Sequence, residues 1–158
     1  MKKFEFTGET KTISLFFRTA TLHRIRAVAE FGLVKIGDLG GWIEKEENLS
    51  HEGKAWVWGN AEVCGDAKVW GNAEVFSASH VLVIGAIGSR DDFTTFFRDK
   101  DNEITVKCGC FLGKIDKFLE KVTQTHGDSK YALVYRAAVE VARLQIDLSG
   151  EAPKDADE

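Results

Sequence analysis

Few side chains in this sequence have the type and spacing to do chemistry. Arg90 and Arg98 lie close to Ser89, Thr94 and Thr95, directly after Gly88. Two guanidiniums, three hydroxyls and the backbone N–H groups of a Gly-Ser turn are a set that grips phosphate or carboxylate bidentately. With an exterior aromatic such as Trp70 beside them to stack a base, the set would suit a nucleotide. The competing expectation is that both arginines pair with Asp91, Asp92 or Asp99 on a wetted surface. Cys108 and Cys110 stand two apart, so a strand would put both thiols on one face, and with Cys64 and His126 they are the one conceivable zinc set. Their spacing lacks the usual two intervening residues and no second pair exists, so structural thiols beside a tight glycine are expected instead, and no metal. His51 and His80 are the candidate bases for acyl transfer, but neither sits in a catalytic constellation. The segment Gly109–Lys114 is one residue short of a phosphate loop and has Ile115 where a magnesium-binding hydroxyl belongs, which excludes it. No catalytic residue and no cofactor motif emerges, so the chain reads as a binding protein rather than an enzyme.

The element that must position these groups is a repeat of six. Val57–Glu62, Val63–Lys68 and Val69–Glu74 are three clean copies, and Val75–His80 is a worn fourth. A short fixed period is the mark of a solenoid whose units bury their apolar face only against neighbours. Strand alternation sends Ala61 and Val63 to one side, Glu62 and Cys64 to the other, and the Gly-Asn and Gly-Asp corners tolerate the positive φ of a tight turn. The expected fold is therefore α+β, mainly β: a short β-helix of about two coils over 39–88. An N-terminal β cap covers 1–38, a hairpin with two helices covers 89–147, and 148–158 is an acidic, disordered tail. If three units close one coil, residues eighteen apart stack, and Trp58 lies under Phe76. Trp56, Trp58, Trp70, Phe76 and His80 all take outward slots, an aromatic face that a soluble monomer would not leave bare. Flanking segments of the same chain, a second copy or a ligand are the three candidates to cover it.

Either side of the repeat the signals are ordinary. Lys2–Phe6, Thr12–Arg18, Thr21–Val28 and Leu33–Ile36 read as strands broken at Gly8–Thr10 and Gly32, with helix an alternative for Leu22–Val28. Phe93–Arg98 and Glu103–Lys107 read as a hairpin. Lys114–Thr125 and the stretch from Asp128 or Ser129 to Ile146 carry apolar residues at helical spacing. The balance of 21 basic against 25 acidic residues, net −4, gives no reason to expect nucleic acid or an acidic membrane as partner. No apolar run approaches about 18 residues, so no membrane span is expected. Three cysteines without an apolar leader point to a reducing cytoplasm.

The segments Asp38–Ile43 and Glu47–Ser50, with the Gly-Asn-Ala-Glu-Val units, resemble a group of small phage- and prophage-encoded proteins with hexapeptide-like left-handed β-helices. The later Ile87–Arg90, Thr95–Arg98 and Cys108–Cys110 segments resemble the globular α/β tail that many of them share. This chain departs from the group in having only three clean repeats, with Trp or Cys where Tyr or Ser is commoner. The resemblance implies left-handedness, a homo-oligomer (a trimer) and the cytoplasm of an infected or lysogenic bacterium. Together these readings lead to one expected function: a non-catalytic, oligomeric counter-defence protein that sequesters a small nucleotide immune signal. The alternatives are a direct protein–protein inhibitor of a host defence enzyme or nuclease, and a relative of the hexapeptide acyltransferases.

Overall fold

A computed structural model describes residues 2–149. The chain forms, in order, β1 (Phe4–Ser14), β2 (Thr19–Ala27), β3 (Leu39–Ile43), β4 (Trp56–Val57), β5 (Glu62–Val63) and β6 (Glu74–Val75). These are followed by β7 (Val81–Ile87), β8 (Asp92–Arg98), β9 (Ile104–Cys108), β10 (Phe111–Lys114), α1 (Ile115–His126) and α2 (Lys130–Gln145). The class is α+β with strands predominating. Among the described residues no helix is long and apolar enough to cross a membrane. Of the tail expected at 148–158, everything after Ser149 lies outside the described residues.

β1 and β2 make a long antiparallel hairpin that β3 extends. Gly8–Thr10 does not break β1, as the sequence suggested. It forms an irregularity in the register between Phe6 and Thr10, where Gly8 takes φ +96. The stretch from Leu22 to Ala27 is strand, because Leu22, Ile25 and Ala27 are buried in a sheet whose β2 is paired on both sides, and Val28 lies just past its end. Leu33–Ile36 forms no strand; a single antiparallel bridge between Phe31 and Val34 closes a turn there.

The repeat region is held by short parallel contacts. β4 pairs with β6 eighteen residues on, as Val57 opposite Val75, and β3 pairs with β5 twenty residues on, as Ile43 opposite Val63. An isolated parallel bridge joins Leu49 to Val69. Ala55, Ala61, Ala67 and Ala73 are buried with Val57, Val63, Val69 and Val75 in one cluster, so the small and β-branched residues of every unit point inward. The pairing of Trp58 with Phe76 holds too, at 5.7 Å between ring centroids.

The expected aromatic outer face is not there. Trp56 and Trp58 are buried, as is His80; Trp70 and Phe76 are half-buried. Their slots do point away from the valines, but the chain's own flanks cover them. Phe31 packs edge-on to Trp56 at 5.3 Å, and Gly40 lies so close that a Cβ there would meet the Trp56 ring at 2.7 Å. Phe76 sits between Trp58 and His80, tilted to the first and edge-on to the second, with the Arg98 guanidinium 5.0 Å from its ring.

Val81–Ile87 also departs from the expected repeat. It does not continue the repeat to residue 88 but turns away as β7, the edge of an antiparallel sheet ordered β10-β9-β8-β7. β8 divides the molecule. Its pleat sends Phe97 into the cluster around the repeat and Phe96 into a second cluster under α1 and α2.

Candidate functional site: a cavity between the Ser89–Asp92 turn and the helices

Two turns and two helices meet around a cavity of about 220 Å³. The turn from β7 to β8 contributes Ser89, Arg90 and Asp92. The turn from β9 to β10 contributes Cys108, Gly109 and Cys110, followed by Phe111, and α1 contributes Phe118, Lys121, Val122, Thr125 and His126. Tyr135 of α2 closes the wall. Each is positioned by simple means. Gly88 (φ +82) and Gly109 (φ +57) allow the two turns, and α1 ends at His126 because Gly127 returns its N–H to Thr123 O.

The wall is aromatic and rigid. Phe118 meets Tyr135 edge-on at 5.7 Å and Phe111 at 5.5 Å, while His126 stacks on Tyr135 at 5.8 Å. Burial, helped by the Cys108 thiol beside it, pushes the Tyr135 phenol up to about 12, so it stays neutral and able to donate near neutral pH. The rim is cationic. Arg90 and Lys121 make no ion pair or side-chain hydrogen bond among the described residues, against the single carboxylate of Asp92. On a chain of net charge −4, a concavity with two unpaired cations has the charge to hold an anion.

Of the ligand-binding candidates read from sequence, Ser89 and Arg90 line this cavity. Thr94 is buried behind it and donates its hydroxyl to Cys108 Sγ at 3.3 Å. Thr95 faces the other way, accepting from Lys68 N–H at 2.9 Å, because alternation along β8 separates neighbours. Arg98 is buried, donates through Nε to Asn102 Oδ1 at 2.8 Å and leaves one guanidinium nitrogen without a partner; it is not at the site. Trp70 is no stacking platform here. Its ring carries Lys107 Nζ at 4.6 Å, and that ammonium donates to Gly109 O, so Trp70 braces the Cys108–Cys110 turn from behind. Neither arginine pairs with Asp91, Asp92 or Asp99, so the expectation of surface ion pairs fails for both.

Phe111, Lys121, Thr125 and Tyr135 were not marked as site residues by the sequence. Tyr135 and Phe118 read as core positions, which they also are. The available signal was the coincidence of Gly88-Ser-Arg90 with Cys108-Gly-Cys110 and His126, three singled-out segments that the fold brings to one place. Among the described residues no group of three metal-capable side chains has the geometry to hold an ion, although Cys108, Cys110 and His126 share the cavity.

His51 and His80 do structural work elsewhere. Nδ1 of His51 accepts from Lys3 N–H and Nδ1 of His80 from Phe76 N–H, both at 3.0 Å. Burial holds both imidazoles below the usual histidine range, with the Arg98 charge adding to the effect at His80. A base whose folded pKa is depressed binds more protons when unfolded. Its stabilisation is therefore complete above the unfolded value of 6.5 and is lost as pH falls through the folded pKa. The contribution of the two histidines should therefore make the melting temperature decline from about pH 7 toward about pH 5. His51→Asn and His80→Asn, whose amide oxygens keep an acceptor near Nδ1, should each reduce the slope. A melting curve series that is level across that range would contradict this.

Compared with models of known protein families and with curated proteins, the sequence matches neither: no family model and no curated protein aligns with it.

Proposed function

We propose that this protein is a non-catalytic, oligomeric binder that sequesters a small nucleotide-type signal, with the phosphate-bearing end of the ligand held in the Arg90 cavity. One observation carries the reading: Arg90 and Lys121, both unpaired among the described residues, stand at the rim of a cavity walled by Phe111, Phe118 and Tyr135. Cations for phosphate beside rings for a base or ribose are the two halves of nucleotide recognition. At about 220 Å³ the cavity admits a phosphate with its sugar, so a larger ligand would extend over the rim. The parallel pairings at eighteen and twenty residues, with alanine and valine inward, support the accompanying proposal that the repeat is a short β-helix, and its left-handedness is what the resemblance implies. Its resemblance to phage-encoded proteins makes counter-defence in an infected bacterium the proposed setting.

Thermal melts with cyclic dinucleotides and ADP-ribose test this. At least one should raise the melting temperature by about 4 °C at saturating concentration. Lys121→Ala should cut that shift by more than half while melting like the wild type alone. A flat response to every one of these ligands would remove the reading.

The alternative, direct inhibition of a host enzyme, is favoured by one feature. Phe16 and Phe17 at the tip of the β1–β2 hairpin are 92% and 91% exposed. Two bare aromatics on a projecting ribbon suit insertion into a partner's pocket. Capture of a host enzyme that is lost with Phe16→Ser/Phe17→Ser, together with no nucleotide shift, would favour it.

A further inference from the structure

A second cavity, of about 210 Å³, lies on the outward face of the β4 and β6 rungs. Trp56 pairs with Glu74 across those rungs, so alternation along each strand puts Lys54 and Trp58 on the same face as Trp56, and Asn72 on the same face as Glu74. The Phe31–Val34 turn packs over Trp56 and walls one side, with the Lys54 stem running past Gly32. Lys100 closes another side from the turn between β8 and β9. One corner of the repeat fixes the backbones of both lysines, since Lys54 N–H donates to Gly71 O and Lys100 N–H to Asn72 O, each at 3.0 Å. The side chains of Lys54, Asn72, Glu74 and Lys100 thus surround one small space, and none makes an ion pair or a hydrogen bond among the described residues. Elsewhere lysines do find carboxylates, as Lys11 finds Glu62 and Lys114 finds Asp101. Glu74 is half-buried, and loss of water pushes its carboxyl above the usual carboxylate range; Asp99 and Asp101 add to this from a distance while Arg98 and Lys100 oppose it. A carboxylate raised in this way subtracts from the stability of the fold at neutral pH, so stability does not explain its place.

We infer that this cavity binds a small zwitterion with an apolar body, a free amino acid such as phenylalanine or leucine, with its ammonium at Glu74 and its carboxylate at Lys54, Lys100 and Asn72. The mixture of signs carries the choice. A simple anion would meet the Glu74 carboxylate, and a simple cation would meet two ammoniums. A molecule with both charges close together satisfies all of them. Depth sets its orientation: Glu74 is half-buried while Lys54, Asn72 and Lys100 are exposed at the rim, so the ammonium enters first. A neutral N–H donor would leave that half-buried carboxylate's charge uncompensated, which is why an ammonium suits it better. Phe31, Val34 and Trp58 supply the apolar wall for the side chain. The volume falls below the roughly 300–1,000 Å³ of sites for drug-sized ligands, which is in keeping with a single amino acid. This cavity shares no residue with the one at Arg90, so the inference goes beyond the proposed function and does not rest on it.

Calorimetric titration of the full chain with L-phenylalanine and L-leucine tests it, beside N-acetyl-L-phenylalanine, which lacks the ammonium, and phenethylamine, which lacks the carboxylate. At least one of the two amino acids should bind with Kd below about 1 mM, and each truncated analogue at least about tenfold more weakly than L-phenylalanine. Glu74→Gln and Lys100→Ala should each weaken amino-acid binding by at least about tenfold. Glu74→Gln should also melt at or above the wild-type temperature at neutral pH, because it removes a desolvated charge, so its lost binding would not be a loss of folding. No heat from either amino acid, equal affinity for the acetylated analogue, or unchanged affinity in Glu74→Gln would each overturn the inference. So would a nucleotide whose binding disappears in Glu74→Gln, since that would give the cavity to a different class of ligand.

Discussion

Asn48→Ala is expected to lower the stability of the folded chain by about 4 kcal/mol, enough to unfold much of a marginal domain. Asn48 is fully buried, and its amide is bonded on all sides. Oδ1 accepts from the N–H groups of Glu44 and Lys45 at 3.1 and 2.9 Å, and Nδ2 donates to the carbonyls of Gly65 and Ala67 at 3.0 and 2.9 Å. One side chain thus ties the corner after β3 to the corner after β5, where the parallel contact ends. Glu44 N–H keeps its second bond, to Val63 O at 3.1 Å, but alanine would strand the Lys45 N–H and the Gly65 and Ala67 carbonyls, each costing about 1 kcal/mol or more when buried without a partner. Asn48→Asp should be nearly as harmful at neutral pH, since a carboxylate cannot donate to Gly65 and Ala67 and repels both carbonyls. Denaturant unfolding of the two variants beside Ser50→Ala as a neighbour control gives the comparison. A loss under about 1 kcal/mol for Asn48→Ala would mean that these bonds do not hold the repeat together.

The second large effect is at the cavity. Gly88→Ala should cost about 2–3 kcal/mol and abolish ligand binding. With φ +82, any L side chain there is strained, and a Cβ would collide with the phenolic oxygen of Tyr135. The tyrosine ring cannot swing away freely, because it is held between Phe118 and His126. Gly59→Ala separates the two causes. Its φ of +56 imposes similar strain, but nothing lies within 4 Å, so only about 1 kcal/mol should be lost. Removing the hydroxyl in Gly88→Ala/Tyr135→Phe should recover about 1 kcal/mol, a coupling that a double-mutant cycle measures directly. Equal losses for Gly88→Ala and Gly59→Ala would show that the close approach to Tyr135 is unimportant.

These two positions illustrate what the sequence does and does not disclose. Local period was legible. The valines and alanines of the repeat, the eighteen-residue offset of β4 and β6, the hairpin of β8 and β9 and both helices follow from spacing that neighbouring residues impose on each other. What no local pattern contains is which surface a distant segment will cover. Trp56 and Trp58 occupy outward slots as expected, yet the N-terminal hairpin, the loop at Phe31 and the C-terminal sheet close over them, so an aromatic face becomes a core. Arg98 looked like a partner of Arg90 because eight residues separate them. One strand later it is buried beside Phe76 while Arg90 stays on a turn. The cavity itself gathers residues from four stretches between Ser89 and Tyr135, and its rim charge is visible only once the ion pairs elsewhere have been assigned. Asn48 was visible only as part of the Glu47–Ser50 segment, and its role was not, since its four partners lie in two corners about twenty residues apart.

The rim arginine offers the most direct test of the account. Calorimetric titration of the wild type and Arg90→Ala with whichever nucleotide gives the largest thermal shift would be run side by side. Arg90 is exposed and bonded to nothing else among the described residues, so the variant should melt like the wild type. Loss of a charge-assisted phosphate contact should weaken its binding by about 100-fold. Equal affinity in the two proteins, or no heat from either, would contradict the assignment of the cavity as the binding site.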